Sequence, residues 1–334
     1  MLGLCRLLLD TEPEPEARNA YHLSLCFMSG MALYLGCLRE ADACFERLER
    51  TGREVVARDD MVRGWRNIEY SFRSLYSHGE PWQALAWAEQ CVGTFGAVGS
   101  ERGDVVVLSW MAQALLALGD VRGAVERARQ GVALALRVSP RFGVTFAQQN
   151  LATVLVASPE SAHRQEAREL VLEWMERRIG NRLDLGVAHR VLAQAAAASG
   201  EQGEAEARAR QACEFLAPFI PFLSEAHSKL GATLLSQGRA AEAREEVERA
   251  LRELEAMGGE GRVRVELLQV LAESCFAQGD VAAGEQALHD ALRSLRARAS
   301  IIPEPAVRQR FLHQVPENAR TLELARQRDI VFGI

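Results

Sequence analysis

The chain has 334 residues, 48% of them hydrophobic and 25% charged, with a formal net charge of −6. That length and apolar content allow a large buried core, arranged as two ordinary domains or as one repeat array. The acidic balance argues against a nucleic-acid binder working through a strongly basic face, because neutralising phosphates takes clustered positive charge. Ala, Leu, Glu, Arg and Gln dominate and only 10 prolines occur, a composition that favours an all-α chain.

Residues 2–9, LGLCRLLL, predict the end of a helix, and TEPEPEA after them reads as a linker. Residues 1–20 are therefore a helix remnant and linker, the ending expected of a fragment cut from a longer protein. From residue 21 to residue 300 one pattern recurs. The segments LGCLREADACF, HGEPWQALAWA, LGDVRGAVERA, SGEQGEAEARA, QGRAAEAREEV and QGDVAAGEQAL each carry a glycine followed five residues later by Ala or Gly. Their glycines are Gly36, Gly79, Gly119, Gly200, Gly238 and Gly279, spaced by about 40 residues except for a double interval after Gly119. A disguised copy is expected inside that interval, with Pro159 near its turn and Ala167 in the small-residue place, which makes seven copies.

Each copy predicts a helical hairpin. Upstream of Gly279, VELLQVLAESCFAQ places Leu268, Leu271, Ala272 and Cys275 on one face of a first helix. The glycine ends that helix in a left-handed conformation, and the acidic residue after it favours the start of the second. Downstream, Gly284, Leu288 and Ala291 share one stripe, and a small residue at the first of these lets the helices approach closely. The stretch GDVAAGEQ spells G-x-x-x-x-G, but Glu285 and Gln286 stand where a phosphate-binding loop needs Lys and Ser or Thr. Its two glycines serve separate packing purposes.

In this register the pattern resembles the tetratricopeptide repeats, with the Ala205/Ala212 and Ala243/Ala250 pairs, Gly284 with Ala291, and Lys229-Leu230-Gly231 in mid helix carrying the likeness. The resemblance implies a right-handed α-solenoid of about seven hairpins. The period is longer than the family's and its helix-A Trp and Tyr are mostly replaced. Such degenerate copies are similar to the arrays downstream of kinase or ATPase modules in large bacterial signalling proteins. Residues 301–334 break the period and predict two helices, opened by Pro305 and Pro316, that cap the apolar end of the array.

Motif chemistry is sparse. Lys229 is the sole lysine, a bias expected of bacterial coding, and it stands without a glycine loop or kinase motif around it. His189 and His227 occupy equivalent places in adjacent copies, but both sit where the family puts a large packing residue, so no metal is assigned. Nor is any cofactor or catalytic residue. The seven cysteines form no C-x-x-C pair and read as reduced buried thiols. Val105 to Leu118, the longest apolar run, falls short of the roughly 18 residues a membrane span needs, and no signal segment opens the chain. A cytoplasmic protein with no membrane or nucleic-acid partner is expected.

What such arrays offer is a concave wall lined by helix-A residues. The register places Arg66, Glu69, Arg73, Tyr76, Gln113, Gln149, Asn150, Arg190, Gln194, Gln269 and Glu273 on that wall. Amides satisfy both sides of a peptide backbone and arginine takes carboxylates, so a protein or peptide partner is expected. Trp82, beside Pro81 in a turn, is the candidate of an aromatic patch. The reading is a non-catalytic interaction or regulatory module of a bacterial signalling protein. The alternative is a ligand- or peptide-sensing domain controlling an attached kinase or ATPase output domain, and an enzyme without a motif comes last.

Overall fold

The computed structural model describes residues 2–138, 142–176, 181–258 and 260–332, which form helices and no strand. In chain order these are α1 (Leu2–Asp10), α2 (Arg18–Tyr34), α3 (Leu38–Thr51), α4 (Arg53–Arg58), α5 (Asp60–Arg73), α6 (Pro81–Glu89) and α7 (Thr94–Ala97). There follow α8 (Arg102–Ala117), α9 (Val121–Val138), α10 (Phe142–Val156), α11 (Ser161–Glu176), α12 (Arg182–Ala198) and α13 (Gln202–Leu216). The last are α14 (Ile220–Ser236), α15 (Ala240–Met257), α16 (Arg264–Ala277), α17 (Val281–Ser300), α18 (Pro305–Gln314) and α19 (Pro316–Gln327). The chain is an all-α solenoid. Its hairpins pair α2 with α3, α5 with α6, α8 with α9, α10 with α11, α12 with α13, α14 with α15 and α16 with α17.

The turn after α8 shows why the hairpins form. Gly119 adopts φ +79°, a conformation costly for any residue with a β-carbon. Its N–H then donates to Leu116 O at 3.0 Å and that of Asp120 to Leu115 O at 2.9 Å, which satisfies two carbonyls at the helix end. The Asp120 carboxylate accepts from Gly123 N at 3.0 Å and caps the next helix. In the fourth hairpin, which lacks the glycine, Arg164 donates to Ser158 O and Pro159 O at 2.9 and 2.7 Å. Five residues after the turn glycines, Ala41, Ala84, Ala124, Ala205 and Ala243 are completely buried, as is Ala167 in the fourth copy.

The array does not stay open, because its end returns to its beginning. The Phe222 ring of α14 lies 5.4 Å from Tyr34 and 5.1 Å from Tyr76, centroid to centroid. Gly261 N donates to Ser77 O at 2.9 Å, and Arg310 Nε to Leu118 O at 3.4 Å. One cluster of buried apolar side chains runs from Ala32 in the first hairpin to Phe311 in α18. A π-helical turn over Ser74–His78 extends α5 and delivers Tyr76 and Ser77 to this seam. No helix among the described residues is long and apolar enough to cross a membrane.

Candidate ligand cavity

Where the solenoid closes it forms a partly open cavity of about 1190 Å³, above the roughly 300–1,000 Å³ usual for small-molecule sites. Helices α12, α14 and α16 present Arg190, Gln194, Glu225, Lys229, Glu266 and Gln269 to it, while Arg262, Arg298, Arg310, Glu317 and Arg320 arrive from the C-terminal part.

A polar network holds its wall. The buried Glu225 carboxylate receives Arg190 at 3.3 Å and Arg262 at 3.4 Å. Arg262 also donates to Gln113 Oε1 at 3.0 Å and to the Tyr76 hydroxyl at 3.3 Å. Gln113 in turn donates to Asn150 Oδ1 at 3.1 Å. Arg190 reaches Thr153 Oγ1 at 3.3 Å, and the Lys229 ammonium meets Glu266 at 2.5 Å.

The charges do not balance. Arg122, Arg190, Lys229, Arg262, Arg298, Arg310 and Arg320 outnumber Asp120, Glu225, Glu266 and Glu317 around the cavity, although the chain as a whole is acidic. Burial pushes the Arg298 guanidinium down to about 10. Its donors bind Arg262 O at 3.0 Å and Gly261 O at 2.7 Å, but those are neutral carbonyls. Burial, with Glu266 beside it, raises the Glu317 carboxyl above the usual range and weakens its hold on a negative charge. Buried Nε atoms of Arg190 and Arg298 and the Gln194 Oε1 have no hydrogen-bond partner. Unpaired buried polar atoms are rare enough to ask what completes them.

The residues assigned to the wall by register fall into several groups. Arg190, Gln194 and Gln269 line the cavity. Tyr76, Gln113 and Asn150 belong to the network behind it. Glu273 stands at its edge, pairing with Arg320 at 2.8 Å while Gln269 donates to it. Gln149 donates to Asp184 on α12. Three others are spent between the first two hairpins. Arg66 pairs with Glu49 at 2.9 Å and lies over the Tyr70 and Trp87 rings, and Arg73 pairs with Asp42 at 2.5 Å. Glu69 is buried between α5 and α2, where a β-carbon on Gly30 would stand 2.3 Å from its carboxylate. Trp82 packs half-buried against the core.

Sequence reasoning passed over Glu225 and Glu266, although both stand thirteen residues before their turn glycines, as Arg66 does. Arg262, Arg298, Glu317 and Arg320 carry no such signal.

The two histidines part company. His189 stacks on Phe215 at 5.3 Å, and burial pushes it down to about 4, neutral at physiological pH. His227 meets Glu246 at 2.6 Å and the Cys213 sulfur at 3.7 Å, a grouping of donors able to hold a metal ion.

The sequence of three segments, residues 105–130, 186–211 and 224–249, matches the tetratricopeptide repeat model. They cover most of the third, fifth and sixth hairpins. No curated protein matches the chain. Among solved structures, a Rap protein complexed with competence and sporulation factor superposes with TM-score 0.65 at 13% identity, covering 98% of this chain and 90% of that one. The apo form of the quorum sensor NprR from B. thuringiensis gives TM-score 0.53 at 11% identity, covering 98% and 91%. At those identities the likeness is one of fold. Three hairpins of the array thus match the tetratricopeptide repeat model by sequence, and the whole chain is similar in fold to those two solved structures.

Proposed function

We propose that the chain is a regulatory scaffold that senses a short peptide bearing a carboxylate in the central cavity. The observation that carries this is the excess of cationic side chains around a partly open cavity, with Arg190 Nε buried and unpaired. A carboxylate supplies the missing counter-charge and acceptor, and the unpaired Gln194 Oε1 suits a backbone N–H. Rap and NprR, which share the fold, are respectively a protein solved with a factor bound and a quorum sensor; both fit an array that answers to a ligand. Binding between the first and last hairpins would change how tightly the solenoid closes, and so the surface offered to a partner or to an output domain of the kinase or ATPase kind. The role is non-catalytic and cytoplasmic.

Peptides of matched length with acidic, neutral and basic residues test it by calorimetry and by thermal shift. Acidic peptides are expected to bind and raise the melting temperature. Arg190→Gln is expected to weaken that binding about tenfold or more, since a buried charge-assisted bond is lost, while Arg66→Glu, outside the cavity, leaves it unchanged. Equal binding of basic peptides, or indifference to Arg190→Gln, would sink the reading.

A further inference from the structure

We propose that Cys213, His227 and Glu246 form a zinc site, distinct from the central cavity, with Cys213 Sγ, His227 Nδ1 and a Glu246 carboxylate oxygen as ligands. The three side chains come from three successive helices, α13, α14 and α15, and none of them lines the cavity. Their donor atoms all lie within 4.8 Å of one another. With zinc–sulfur near 2.3 Å and zinc–nitrogen near 2.0–2.1 Å, a tetrahedral ion places the two donors about 3.5 Å apart. Here Cys213 Sγ and His227 Nδ1 are 3.7 Å apart. The Glu246 oxygen is 2.6 Å from the same nitrogen, held there by a hydrogen bond. It has only to withdraw by less than about 1 Å for an ion to replace the shared proton.

The surroundings are those of a bound histidine ligand. With Nδ1 on the metal, Nε2 keeps its proton and faces Glu253 Oε2 at 3.8 Å. That oxygen is buried and has no hydrogen-bond partner. A carboxylate behind a metal-bound imidazole fixes its tautomer and strengthens it as a ligand. Arg249 holds the other Glu246 oxygen at 3.2 Å, which aims the carboxylate. A protonated His227 between two glutamates would account for the acids. It does not account for a thiol set against the same ring nitrogen.

The thiol itself is no nucleophile. Burial, with Glu246 adding to it, pushes Cys213 up to about 12, so little thiolate forms unaided. A divalent ion reverses this: the S–H bond breaks, the sulfur pair bonds the metal, and the proton leaves to solvent. Cys213 and Glu253 are only partly buried, which leaves a path for the ion and for a water in the fourth position. A soft sulfur, an imidazole and one carboxylate favour zinc over magnesium or calcium.

Cobalt(II) titration of the metal-stripped full chain tests the site. The expected result is saturation at one equivalent, a thiolate-to-cobalt charge-transfer band, and displacement by zinc. Cys213→Ala should abolish the band, and Glu253→Gln should weaken zinc about 10- to 100-fold. His189→Gln and Cys275→Ala should change nothing. Absence of the band in the wild-type chain, or its survival in Cys213→Ala, overturns the proposal. The wild-type spectrum decides even if a variant fails to fold.

Discussion

The Arg262 guanidinium donates to the Tyr76 hydroxyl at 3.3 Å and lies over its ring at 5.6 Å, across 186 residues of chain. This pair joins the segment before the seventh hairpin to the second hairpin, and through Gln113 and Glu225 to the third and sixth. It is one of the contacts that turn a linear array into a closed one. Arg262→Met leaves Glu225 with Arg190 alone and strands the Gln113 and Tyr76 oxygens. Leaving those buried oxygens unsatisfied costs about 1–3 kcal/mol, to be read from urea unfolding. Small-angle scattering should show a wider particle. A change within about 0.5 kcal/mol would make the contact incidental.

The two glycines of GDVAAGEQ should respond differently to substitution. Gly279 has φ +79° with open space around a β-carbon, so Gly279→Ala costs only the backbone strain, about 1–2 kcal/mol. At Gly284 a β-carbon would stand 2.4 Å from the Phe276 ring, which the Arg328 guanidinium covers at 3.8 Å. Gly284→Leu overpacks this contact and costs about 1–3 kcal/mol or more. Denaturant unfolding measures both. Equal stability of Gly284→Leu and the wild type would refute the close-approach role.

Glu69 gives the fold a pH dependence. Burial raises its carboxyl from 4.5 to about 8. Between those values the folded chain holds a proton that the unfolded chain has released, so stability falls as pH rises through this window and levels off above about 8. Glu69→Gln removes the ionisable group while keeping its shape. The variant should therefore gain stability over the wild type at pH 8–9 relative to pH 5. A difference in melting temperature that does not grow with pH would contradict the assignment.

How far the site could be read from sequence depends on the kind of contact. Arg190 and Gln194 on α12 and Gln269 on α16 were legible because the register fixes which side of a helix A faces inward, and those two helices border the cavity. Arg66, Arg73 and Glu69 share that register but meet other partners, because α3 supplies Glu49 and Asp42, α6 supplies the Trp87 ring and α2 brings Gly30 against Glu69. The same local rule gives opposite results in different surroundings. His227 is a sharper case: its place in the repeat suggests packing, yet the sulfur and carboxylates around it come from neighbouring helices.

The sequence by itself determined the helices, their hairpins and the fourth copy hidden around Pro159. Those rest on turn glycines, caps and small residues acting over a few positions along one chain, so spacing records them. Only the tertiary structure decided that the solenoid closes, that Arg262, Arg298 and Glu317 share a cavity with Arg190, and that Cys213 stands beside His227 and Glu246. These depend on the small rotation from each hairpin to the next, summed over the whole array. No local pattern encodes that sum, because it arises from packing between faces that the periodicity leaves equivalent.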